Sequence, residues 1–221
     1  MKFSKLGAVA ILAVIAVYIR AIYFTPFDAL QGPAQKIFYI HVASGVVGLY
    51  LAFGLVFVTS VLYLWLKDPK LDRVASSSAE VGLVFTSVVL ITGPLWAKPV
   101  WGTYWTWDAK LTLTLFLWFI YVGYIILRGA IDDFEMRARF SAVLGILGAL
   151  LVPFIHLSVY FFRTLHPMPV LLKPSAPSMP PEMLITILSS ICAFTLLYVW
   201  LLRERYLLAS DRDASMEALS S

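Results

Sequence analysis

Charge is scarce in this chain. Lysine, arginine, aspartate and glutamate supply only 14% of its 221 residues while 61% are apolar, whereas a soluble domain is about 25% charged. The mean hydropathy of +0.86 agrees, and the balance excludes a soluble globular domain in favour of an integral membrane protein. Sulfur is scarcer still. The single cysteine, Cys192, lies inside an apolar run, which excludes an internal disulfide, a thiolate metal cluster and covalent cofactor attachment through C-x-x-C-H. No Walker motif is present, so any ATP dependence belongs to another subunit. Internal repeats, low-complexity tracts and a second domain are also missing, and residues 1–221 read as one unit.

The apolar residues fall into six runs: Leu6 to Phe24, Phe38 to Leu66, Ala79 to Leu95, Leu111 to Leu127, Phe140 to Phe161, and Met183 to Leu202. Each approaches the roughly 20 residues that a helix needs to cross a ~30 Å hydrocarbon core. The runs are uniformly apolar rather than alternating, so helices rather than barrel strands satisfy their backbone in lipid. The expectation is an all-α polytopic membrane protein with six transmembrane helices. Lys2 and Lys5 ahead of the first run resemble a signal peptide. Arg20, Tyr23 and Phe24 stand where a small-residue cleavage site should be, and the run is read as an uncleaved first helix.

Loop charges orient the bundle. With the N-terminus inside, eleven basic residues (Lys2, Lys5, Lys67, Lys70, Arg73, Arg128, Arg137, Arg139, Arg203, Arg205, Arg212) face the cytoplasm. Five (Lys36, Lys98, Lys110, Arg163, Lys173) face out, which places both termini in the cytoplasm. Arg20, near the outer end of the first helix, snorkels toward the headgroups. Topology accounts for the basic excess, and no nucleic-acid partner is needed.

This orientation gathers the chemistry on one side. His41, His156 and His166, all three histidines, lie at the outer face, as do Trp96, Trp101, Trp105 and Trp107 out of seven tryptophans. Outer loops are expected at residues 25–37, 96–110 and 162–182, while the inner segments KDPKLDR and RGAIDDFEMRAR are short and chemically plain. Tryptophans gather at membrane interfaces in any case, and a belt accounts for one or two of them. Four within twelve residues, punctuated by Gly102 and Thr103, ask for more. Asp108 suits the N-cap of the fourth helix, a role compatible with a second one. A lone interfacial histidine is ordinarily solvated or satisfied in a core. Here histidines flank an aromatic loop, which suits a flat macrocycle whose metal takes two imidazoles, with Arg163, Lys98 or Lys110 pairing its carboxylates. Zinc bound by three histidines and Asp108 is the alternative, but it leaves the tryptophans unassigned.

The run LWAKPVWGTYWTWDAKLT (95–112) resembles the tryptophan-rich WWD signature of haem-handling membrane proteins. Together with KIFYIHV (36–42), IHLSVYFFRTLHP (155–167) and the helix order, the chain is similar over residues 20–205 to the CcmC family, haem exporter protein C of cytochrome c maturation. The resemblance implies non-covalent haem b at the outer face, with His41 and His166 as axial ligands of the iron and His156 off the axis. Trp96, Trp101, Trp105, Trp107 and Asp108 match or adjoin the signature, and Arg163 follows the fifth helix. A haem-presenting rather than enzymatic role is implied, in a bacterial inner membrane. The implied partners are a periplasmic haem chaperone (CcmE type), ABC transporter ATPase and membrane subunits (CcmA and CcmB type), a small single-span protein (CcmD type) and membrane lipid. Against the family pattern, Ala43 replaces a proline, Lys110 an arginine, and Arg163 an asparagine. Lys110 keeps the charge and loses the planar fork.

Three rivals stand beside this reading. A cytochrome c haem lyase or synthase is longer and carries a further histidine pair within its helices. A respiratory cytochrome b places paired histidines near mid-membrane. A structural transporter subunit would leave the tryptophans as belt residues only.

Overall fold

The computed structural model describes residues 4–220, and among these there is no β-strand. Lys2, counted above with the inner charges, lies outside them. Six helices long and apolar enough to cross a membrane run in succession: α1 (Lys5–Phe24), α2 (Pro33–Leu66), α3 (Pro69–Trp101), α4 (Ala109–Ala130), α5 (Phe134–Phe161) and α6 (Pro181–Ser220). The expected all-α, six-span membrane architecture is the one found. An even number of crossings brings the two ends of the chain to the same face of the bundle.

Local chemistry sets the helix ends. Asp68, Asp108 and Asp133 cap α3, α4 and α5, each carboxylate accepting a backbone N–H of the first turn. Pro69 follows Asp68 at the first helical position, where its missing N–H costs nothing. Gly102 closes α3 at φ 77°, a left-handed cap that a side chain disfavours.

Several expected boundaries move. α3 begins at Pro69 instead of Ala79, because the polar stretch DRVASSSAE is helical and buried rather than a loop. Two of its hydroxyls are satisfied inside the protein: Ser76 donates to the Arg73 carbonyl, and Ser78 both donates to the Ala52 carbonyl (2.9 Å) and meets the Tyr198 hydroxyl (2.7 Å). At its other end α3 passes Pro94 and Pro99 and continues to Trp101. Trp96 and Trp101 therefore stand on a helix, and the expected loop 96–110 shrinks to residues 102–108. The loop expected at 162–182 ends at residue 180, before Pro181 opens α6, and α6 runs well beyond Leu202. Hydropathy locates the lipid-immersed part of a helix, while the backbone ladder continues past it.

α3 is the central helix, touching α2, α4, α5 and α6, while α1 packs on α6. Small residues permit the closest approaches. A Cβ on Gly82 would stand 2.8 Å from Ala52 Cβ, and one on Gly145 would stand 2.8 Å from Val56. At the end of the bundle where the Asp68 and Asp133 caps lie, Arg128 grips Asp72 with two bonds of 2.6 and 2.8 Å. Arg73 pairs with Asp213 at 2.7 Å, and Arg205 pairs with Glu80. The long α3 and α6 are thereby tied together where they pass the membrane boundary.

Candidate functional site

At the opposite end the helices part around a cavity of about 440 Å³, within the range of roughly 300–1,000 Å³ typical of pockets for organic ligands. α2 contributes Phe38, His41, Leu49 and Tyr50. α3 contributes Val89, Gly93, Trp96 and Trp101, and α4 contributes Lys110 and Thr114. His156 of α5, Trp105 and the His166 loop complete the wall. All three histidines face one space.

Their hydrogen bonds separate them. The Thr92 hydroxyl lies 2.6 Å from the Val88 carbonyl, which can only accept, so its hydrogen is committed there. Its oxygen then accepts from His41 Nδ1, 3.0 Å away. At His166, Nδ1 lies 3.0 Å from the Pro167 carbonyl, again an obligate acceptor. Both rings therefore carry their proton on Nδ1 and keep the Nε2 lone pair free, the arrangement that supporting hydrogen bonds impose on a metal-binding imidazole. His156 differs. Its Nδ1 is 2.7 Å from the Tyr50 hydroxyl, which can donate or accept, and the ring also meets the Leu172 backbone.

Aromatic packing holds the two rings. Trp96 meets His41 edge to face at 5.7 Å and Phe38 at 5.8 Å, and its indole N–H donates to Gln31 Oε1 at 2.9 Å. Trp101 approaches His166 edge to face at 6.4 Å. Gly93 leaves room for His41, since a Cβ there would stand 3.2 Å from the imidazole. A π-helical segment, Val46–Ala52, matters to the opposite wall. His41 and Tyr50 are nine positions apart, which at about 100° per residue points them to opposite sides of an α-helix. Wider π turns rotate less per residue, so both reach the same cavity.

Asp108 does three things at once. Oδ1 caps α4 by accepting from Leu111 N at 3.0 Å. Oδ2 accepts from Thr164 Oγ1 at 2.7 Å and, more loosely, from Thr106 at 3.3 Å. Lys110 projects into the cavity and has no ion-pair partner within 4 Å among the described residues. Burial first, and then the Lys110 ammonium, push the His166 pKa down to about 4, so the ring is neutral at physiological pH.

Of the residues singled out from sequence, His41, His166, Trp96, Trp101 and Trp105 line the cavity. Trp107 does not. It is 77% exposed and stacks edge to face on Trp105 at 5.7 Å. Arg163 is exposed and outside the lining as well, because the chain leaves α5 in an extended conformation at Phe162. Of the three cations offered for a ligand carboxylate, Arg163, Lys98 and Lys110, Lys110 is the one that lines the cavity. The zinc alternative also finds no site, since among the described residues no three His, Cys, Asp or Glu side chains converge on a common point. Thr92, Gly93, Gln31 and Thr164 escaped notice in the sequence, where each is an ordinary small or polar residue.

Fold and cavity together define a class: polytopic membrane proteins with an aromatic, histidine-bearing ligand chamber at one end of the bundle. Comparison with known proteins narrows it. The family model described as Heme exporter protein C matches residues 2–217. The Heme exporter protein C of Bradyrhizobium diazoefficiens is 37% identical over 97% of this chain and 84% of its own length. That of Haemophilus influenzae is 34% identical over 93% and 83%. A ccmC-like mitochondrial cytochrome c biosynthesis protein of Marchantia polymorpha is 36% identical over 70% of this chain and 64% of its own. The chain belongs to the Heme exporter protein C family. It is a multi-pass protein of a bacterial inner membrane with a role in haem handling for cytochrome c biogenesis.

Proposed function

We propose that the cavity holds haem b, non-covalently and as cargo, at the periplasmic face between His41 and His166, and presents it to a periplasmic haem chaperone of the CcmE type for covalent attachment. The observation that carries this reading is the matched state of two imidazoles. Each has its Nδ1 proton committed to an acceptor, and each leaves an Nε2 lone pair at one aromatic-walled cavity. Trp96, Trp101 and Trp105 supply apolar wall for the macrocycle, Trp107 backs Trp105, and Lys110 is the cation for a propionate.

The donor set fits haem. Two neutral nitrogens, an apolar lining and a single half-buried cation match a flat iron macrocycle with two carboxylates better than a bare ion. His166 sits on a connecting segment rather than on a helix, which suits a carrier that must release its cargo. Asp108 serves the reading by fixing the first turn of α4, and with it Lys110. An ABC transporter with CcmA-type ATPase and CcmB-type membrane subunits, and a small CcmD-type protein, complete the proposed assembly. The role is that of a presenter rather than an enzyme.

Visible spectra of the detergent-purified protein with added haemin test the reading. A low-spin bis-histidine spectrum in wild type, lost in His41→Ala and His166→Ala and largely kept in His156→Ala, is expected. Equal haem content in all three variants removes the axial assignment, and a wild type that takes up no haemin removes the haem reading.

A further inference from the structure

One hydroxyl joins the two outer loops. Thr164 Oγ1 donates to Asp108 Oδ2 at 2.7 Å and accepts the backbone N–H of His166 at 3.0 Å. Asp108 is itself anchored, because its other oxygen caps α4. Among the described residues, this is the one side-chain hydrogen bond between the 102–108 turn and the 162–180 segment. The remaining polar contacts of His166 are local: its N–H to Thr164 and its Nδ1 to the Pro167 carbonyl. Around it Leu165, Pro167 and Met168 are exposed and supply little packing. Without the hydroxyl, the residue that reaches for the cavity is held mainly by the contact between its ring and Trp101.

We propose that Thr164 is a positioning residue that clamps His166 to the Asp108-capped start of α4 and thereby sets how long haem is retained. The inference rests on the haem-presenting reading above. It adds a second purpose for Asp108: the carboxylate that orders α4 also orders the loop carrying one imidazole. A charged acceptor makes the bond stronger than a neutral one. The Thr164 oxygen must both donate and accept, which a serine can do and a valine of the same shape cannot.

The test measures the rate of haem transfer from the detergent-purified full chain, loaded with haemin, to excess apomyoglobin, alongside the ferric absorption spectrum. Thr164→Val is expected to speed transfer about tenfold, the lower end of the loss that follows removal of a supporting partner at a metal site, and to raise the high-spin fraction. Thr164→Ser is expected to restore the wild-type rate and spectrum. In the His166→Ala background, Thr164→Val is expected to add nothing, because the clamp acts only through that imidazole. Wild-type transfer and spectrum in Thr164→Val overturns the proposal, as does an equal acceleration in the His166→Ala background, which is the mark of a general structural role. A wild type that never acquires a low-spin spectrum fails the haem-presenting reading itself and takes the clamp with it.

Discussion

The two ends of the bundle use polar groups in opposite ways. At the end away from the cavity the buried carboxylate Asp72 is held bidentately by Arg128, and Arg73 and Arg205 each meet an acid from another helix. At the cavity end Lys110 has no acid within ion-pair distance among the described residues, and His41 and His166 line the cavity. The buried Trp105 indole N–H and Gln35 Oε1 make no hydrogen bond among the described residues. Desolvating a polar group is unfavourable unless a partner compensates. Ion pairs between helices at one end hold those helices together, and under the proposed function the unpaired groups lining the cavity at the other are the ones a ligand meets, whereas Arg137 Nε and Ser141 Oγ are unpaired among the described residues away from the cavity.

That contrast can be broken by exchanging consequences between the ends. The largest effect is expected from Asp72→Ala, which strands the Arg128 guanidinium and lowers stability by about 3–5 kcal/mol. Denaturation in detergent measures it, and haem uptake per folded molecule should be unchanged. A fall in uptake at wild-type stability would mean that the end away from the cavity also serves the ligand. Next comes Gly93→Ala, whose methyl presses on His41. Haem affinity should fall by about 10–100-fold, the range for disturbing a metal ligand's support, with little change in the denaturation curve. Thr92→Val, which removes the acceptor for His41 Nδ1 but keeps the volume, should fall near the lower end of that range, about tenfold, in the same titration.

The smallest effect concerns pH. Under the proposed ligation, a proton would compete with iron for His166 only as the pH approaches about 4, because burial and Lys110 lower that pKa in the folded protein. An exposed histidine would begin to lose its lone pair near about pH 6.5. The sign for stability is the same. Between those two values the unfolded chain binds the proton more readily, so acidification through that window destabilises the fold. Haem retention that is flat down to about pH 5 and then declines is expected, whereas half-loss near neutrality would contradict a buried His166.

Much of the fold was legible in the chain because lipid imposes a blunt rule, that a crossing segment is long, apolar and helical. α1 and α4 end close to where hydropathy places them. Hydropathy starts α3 ten residues late, at Ala79 instead of Pro69, because serines and an aspartate look like loop, and only their partners, the Ala52 carbonyl, Tyr198 and Arg128, make them compatible with burial. The same holds for the site. His41, His166 and the tryptophans carry rare, informative side chains. Thr92, Gly93 and Thr164 act through position alone, and nothing in TGP or RTL marks them.

Among the cations that by type suit a propionate, Arg163 follows extended backbone at Phe162 and is exposed, while Lys110 lines the cavity wall. Composition and hydropathy by themselves determined a six-helix membrane protein with its three histidines and four of its seven tryptophans gathered at one end. Those properties are additive along the chain and need no knowledge of neighbours. Only the tertiary structure decided which nitrogen of each histidine stays free, which cation faces the cavity and which hydroxyl joins the two loops. Each of these is a relation between residues 50 or more positions apart, or depends on where the backbone turns, and hydrogen-bond direction exists only once the helices have packed.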